Sequence, residues 1–114
     1  MRARLRRDIA NARALAEAVA ATAHWRVLAP VHLQTVCVRH EPPGLAGAAL
    51  DAHTRAWCEA VNASGAAYLT PAILDGRWMV RVSIGALTTE AADVAATWAA
   101  MQAAAQAELT RHRL

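Results

Sequence analysis

Tyr68-Leu69-Thr70-Pro71-Ala72-Ile73-Leu74-Asp75-Gly76-Arg77-Trp78-Met79-Val80-Arg81-Val82-Ser83-Ile84 is the stretch on which the fold turns. Two strand-like runs flank Asp75-Gly76. Both residues of that dipeptide tolerate positive φ, which a two-residue hairpin turn requires. In the second run Trp78, Val80, Val82 and Ile84 alternate onto one face, while Arg77, Met79, Arg81 and Ser83 take the other. The stretch predicts an antiparallel hairpin with one apolar face and one face carrying two arginines.

Downstream, Thr88-Thr89-Glu90 predicts a helix start, with a Thr cap and with Glu90 and Asp93 set against the positive end of the helix dipole. That helix runs to about residue 109, and Val94, Trp98, Met101 and Ala105 form its apolar stripe. Upstream, Asn62-Ala63-Ser64-Gly65 reads as a helix exit, with Gly65 suited to a left-handed cap. The helix it closes spans residues 48–64, with Leu50, Thr54, Trp57 and Val61 on its inner face. Glu41-Pro42-Pro43-Gly44 breaks the chain before it. Residues 33–39 are short and β-branched and predict a strand. A weaker extended piece covers residues 25–29 and closes at Pro30. Residues 2–22 carry Leu5, Ile9, Ala12, Leu15, Ala16 and Val19 at three- and four-residue steps, the stripe of an amphipathic helix. That helix begins almost at Met1 without a cap, as a piece of a larger chain would. The order is α-β-β-α-β-β-α. It predicts one domain over residues 1–114, an α+β unit of two layers. Three helices would lie on one face of a mostly antiparallel sheet of three or four strands. The face with Arg77, Met79, Arg81 and Ser83 is left for a second domain.

Composition narrows the function. The 114 residues carry 12 arginines, no lysine and 9 acids, for a net charge of +3. Without lysine, the chain has no side-chain amine for a Schiff base. The 56% apolar share is high, but much of it is alanine, which supplies little core volume. Arg2, Arg4, Arg6 and Arg7 crowd one end and Arg111 and Arg113 the other. No stacking aromatics interleave with them, so they read as solvated helix ends and not as a nucleic-acid site. The apolar stretches break well before the ~20 residues of a membrane span. Cys37 and Cys58 are too few for a disulfide framework and read as reduced, buried thiols of a cytoplasmic protein.

Three chemistries deserve weighing. A zinc site from Cys37, His40, His53 and Cys58 would need the ligands to converge on a tetrahedron. In a helix, His53 and Cys58 point about 140° apart, so buried thiols and surface histidines are expected instead. A Cys37–His40 or Ser83–His dyad lacks any surrounding nucleophile signature. Arg81 sits mid-strand among valines. If half-buried there, it needs a carboxylate or phosphate partner, which its planar fork suits. That partner is either an acid of this domain or its neighbour, or a group at a substrate site. Trp25, Trp57, Trp78 and Trp98 read as large core or interface residues.

Three segments together resemble the C-terminal small domain of pyridoxal-phosphate-dependent amino-acid decarboxylases, the aromatic-amino-acid branch more than the glutamate branch. They are Leu33-Gln34-Thr35-Val36-Cys37-Val38-Arg39-His40, the run from Asn62 to Arg77, and Trp78-Met79-Val80-Arg81-Val82-Ser83-Ile84-Gly85. The family pattern is a strand ending in arginine, a helix with a glycine exit, a strand with a proline, a strand with a central arginine, and a closing helix. The resemblance extends from the first helix to about residue 107. It implies a lyase that is a cytoplasmic homodimer in its complete form, with active sites at the subunit interface. The pyridoxal phosphate sits on a lysine of a large domain, and the small domain packs on that domain and frames the site. The family's strand arginine lies near the substrate side, and here that position is Arg81. The cofactor lysine, the ring-stacking histidine, the aspartate at the pyridine nitrogen and the phosphate-binding residues have no counterpart in this chain. The resemblance therefore implies a missing large domain, no cofactor bound by this chain alone and no catalytic residue of its own. Whether the chain is an excised domain, a truncated product or half of a split enzyme stays open. A stand-alone α+β ligand-binding or regulatory module is the rival reading.

Overall fold

The computed structural model describes residues 3–28, 35–65, 67, 69–83 and 91–112. Their order is α1 (Ala3–Ala20), β1 (Trp25–Val27), β2 (Thr35–His40), α2 (Gly47–Ser64), β3 (Thr70–Leu74), β4 (Arg77–Ser83) and α3 (Ala91–His112). This is the predicted order. The Thr88–Glu90 helix start, Pro30, Leu33, Gln34, Tyr68 and Ile84 lie outside the described residues, as does the side chain of Leu5.

The four strands form one sheet in the order β1-β2-β4-β3, every pair antiparallel. The β3–β4 hairpin turns at Asp75 (φ 52°) and Gly76 (φ 77°), the two positive φ values expected of that dipeptide. The register sets Val36 opposite Val82 and Val38 opposite Val80. All four are buried, and they line the face covered by helices.

The helices lie on that face alone. α1 packs over β1 and β2, α2 over β4 and β3, and α3 over α2 and α1. α1 buries Ala12, Leu15, Ala16 and Val19, as its periodicity predicts. α2 buries Leu50, His53, Thr54, Trp57, Cys58 and Val61, a stripe at three- and four-residue steps. Its C-terminus closes at Gly65, which is left-handed (φ 78°) and returns its N–H to the Asn62 carbonyl. The Asn62 side chain then ties the helix to the next strand. Its Nδ2 donates to the Leu69 carbonyl at 2.8 Å, and its Oδ1 accepts the Leu69 N–H at 2.6 Å. α3 contributes Val94, Met101 and Ala105 to the core. A fully buried Leu or Val side chain contributes about 1.5–3 kcal/mol by leaving water, so the core stands on the valines, Leu15, Leu69, Trp57 and Met101 more than on the many alanines.

Trp25 joins the layers. Its ring lies 5.2 Å from Trp57 and 4.9 Å from Trp98, both edge-on, and 4.7 Å from the His40 ring. It thereby links the first strand to α2, α3 and the end of β2. Edge-on aromatic pairs contribute about 0.5–1.5 kcal/mol beyond area burial.

Candidate functional site

Two features stand out in this frame: a buried histidine pair beneath the end of β2, and the sheet face that no helix covers.

The histidine pair corrects the expectation of surface histidines. His53 is fully buried and His40 nearly so, with Nδ1 of His40 2.9 Å from Nε2 of His53. His40 ends β2 and His53 lies on α2, so the two side chains link strand and helix. Burial first, then the neighbouring His53 and His24, push the His40 pKa down to about 4. Sequence spacing groups Cys37 with His40 and His53 with Cys58. The fold instead joins a strand residue to a helix residue thirteen positions away. Cys58 turns into the core, where burial and then Glu59 push its thiol up to about 11. Cys37 is only half-buried, because its position in β2 faces away from the helices. No group of three or more His, Cys, Asp or Glu side chains suited to a metal occurs among the described residues.

The open face is built from the alternate residues of the same strands. Arg81 lies at its centre, opposite Cys37 of β2 and Thr70 of β3. It is exposed, whereas Arg39 on the same face is buried. No hydrogen bond or ion pair engages it among the described residues. The Arg26–Arg39 pair of β1 and β2 sits on the same face in direct register. Like charges so placed repel. Glu41 relieves them, taking Arg39 at 2.8 Å and Arg26 at 3.2 Å. Burial alone would raise the Glu41 carboxyl, but the hydrogen bonds from Arg39 and Arg26 outweigh it and hold the pKa below its usual value. Arg39 is fixed further by Nε donating to the Trp78 carbonyl at 2.9 Å. Met79, which the strand pattern placed on this face, is nonetheless buried. At the hairpin end Arg77 pairs with Asp51 of α2 at 2.9 Å, and Arg55 lies over the Trp78 ring.

Pyridoxal phosphate, which the resemblance implies, does not fit the side chains of this chain. No amine is present to hold its aldehyde. The arginines with fixed geometry, Arg39 and Arg77, are already engaged with Glu41 and Asp51.

Comparisons with known proteins agree with the fold and extend the reading. No family model matches the chain. Phenylacetaldehyde synthase of a Rosa hybrid cultivar is 33% identical over 95 residues, 77% of this chain and 19% of that protein. Tyrosine decarboxylase 1 of Narcissus pseudonarcissus is 30% identical over 104 residues, 86% of this chain and 20% of that protein. The crystal structure of Oryza sativa TDC with pyridoxal phosphate (PLP) and tryptamine superposes with a TM-score of 0.82 at 24% identity, over 92% of this chain and 23% of that one. The chain thus spans about a fifth of the length of the curated relatives it matches. It is similar in sequence to a segment of a phenylacetaldehyde synthase and of a tyrosine decarboxylase, and it shares the fold of the C-terminal region of a decarboxylase of the aromatic type.

Proposed function

We propose that residues 1–114 serve as the small domain of a carboxy-lyase acting on aromatic L-amino acids, packing on a large domain and framing its active site. The observation that carries this is the joint match in sequence and fold to enzymes of that type, running over most of this chain and a fifth of theirs. In the complete enzyme the cofactor is the electron sink for decarboxylation, and the protein orients the scissile bond. On this reading the lysine comes from the large domain, and the assembly is a cytoplasmic homodimer. The contribution of this chain is structural. The Trp25 cluster and the Val36–Val38–Val80–Val82 floor hold the sheet rigid. The open face meets the large domain and excludes water there, and Arg81 is the cation this domain presents on the substrate side.

Co-expression tests the reading. The Narcissus tyrosine decarboxylase is truncated to remove the segment matched here and is produced together with this chain. A stable complex of equal stoichiometry is expected. A soluble truncated enzyme that leaves this chain behind as a free monomer would overturn the reading, as would release of CO2 from L-tyrosine by this chain alone.

A further inference from the structure

We propose that Arg81 is the cation of a docking ion pair, and that its occupant is a side-chain carboxylate on an acidic segment of the large domain; this rests on the small-domain reading above. By strand alternation the open face holds four arginines, Arg26, Arg39, Arg77 and Arg81; among the described residues Glu41 serves Arg26 and Arg39, and Asp51 serves Arg77. Glu41 is already shared between Arg26 and Arg39. Those two are mutually repelling neighbours in register, so their shared carboxylate has no spare capacity for Arg81. The face is left with excess positive charge at its centre.

The surroundings of Arg81 fit a protein surface better than a free ligand. Its ladder neighbours on this face are Cys37 and Thr70, and Ala72 and Met79 lie one step along. Cys37, Thr70 and Ala72 are short, Met79 is buried, and Arg81 itself is exposed. Small-molecule sites are concave and enclose their ligand. An exposed arginine among short side chains matches the central anchor of a protein interface, where arginine is enriched. The planar guanidinium then takes a carboxylate through two parallel hydrogen bonds. Burial of the pair on docking makes its geometry matter: charge without a partner on that face opposes closure.

Two experiments decide it. In the first, the 15N-labelled full chain is titrated with tetraglutamate, L-tyrosine or tetralysine at low salt, and backbone amide shifts are followed. Tetraglutamate is expected to shift Cys37, Thr70 and Arg81. Arg81→Gln should weaken that binding at least tenfold and Arg26→Gln less than threefold. Equal affinity in Arg81→Gln, absence of binding, or shifts centred elsewhere would overturn the proposal. Shifts of the same amides by L-tyrosine would overturn it in favour of a substrate carboxylate. In the second, Arg81→Glu is expected to lower recovery of the co-expressed complex at least tenfold, with Arg81→Lys falling in between. Unchanged recovery for Arg81→Glu would overturn the proposal. Arg81 makes no bond within the described residues, so thermal melts of the variants should match the parent. The peptide titration needs no large domain, so a failure of the small-domain reading and a failure of the ion pair are told apart.

Discussion

The buried histidine pair makes the stability of this fold depend on pH in a defined window. His40 has a folded pKa of about 4 against an ordinary 6.5. Above pH 6.5 the ring is neutral in both the folded and unfolded chain and contributes no pH dependence. As pH falls from 6.5 toward 4, the unfolded chain takes up the proton and the folded chain does not, so folding stability falls. Below about 4 both states are protonated and the loss levels off. At about 1.4 kcal/mol per pKa unit, the depression amounts to about 3 kcal/mol, a large share of a typical domain's stability. His40→Gln removes the titrating ring and keeps a side chain able to hydrogen-bond His53. Urea unfolding followed by tryptophan fluorescence at pH 7 and pH 4 measures both proteins. The parent should lose about 3 kcal/mol more than His40→Gln between these values. Carboxylates such as Glu41 titrate in both proteins and cancel in the difference. Equal losses would refute the claim that His40 is buried and uncharged.

Other outcomes follow from single residues. Asn62→Ala leaves the Leu69 N–H and carbonyl without their partner and should cost about 1–3 kcal/mol in chemical denaturation. Gly76→Val forces a β-branched residue to φ 77° and should cost at least about 1–2 kcal/mol, while Asp75→Gly should be nearly neutral by the same assay. Cys37 should react with an aromatic disulfide reagent in the folded protein. Cys58, fully buried with its thiol pushed up to about 11, should react only after unfolding, as peptide mapping would show.

Local chemistry made most of the sheet legible. The two positive φ values at Asp75-Gly76, the left-handed Gly65, and the valine alternation of β4 each follow from a rule that acts within a few residues. The histidine pair was not legible in this way. His53 lies three residues from Leu50 and four from Trp57, within the buried stripe of α2, and that spacing was the available signal. It was masked because histidine is read as polar and was grouped with Cys58 by proximity in sequence. Its true partner depends on how α2 packs on the sheet, which no local pattern encodes. Arg81 shows the same limit from the other side. Its place mid-strand was readable, but its burial depends on what covers the open face. Cys37 is half-buried for the same reason.

The central claim is that this chain can stand in for the small domain of a decarboxylase of the aromatic type. The most direct measurement replaces the matched 104-residue segment of the Narcissus tyrosine decarboxylase with this chain and follows CO2 release from L-tyrosine beside cofactor absorbance. The account predicts a cofactor-bound chimera that releases CO2, where the same enzyme without the segment does not. A folded, cofactor-bound chimera with no release above that of the truncated enzyme would contradict it.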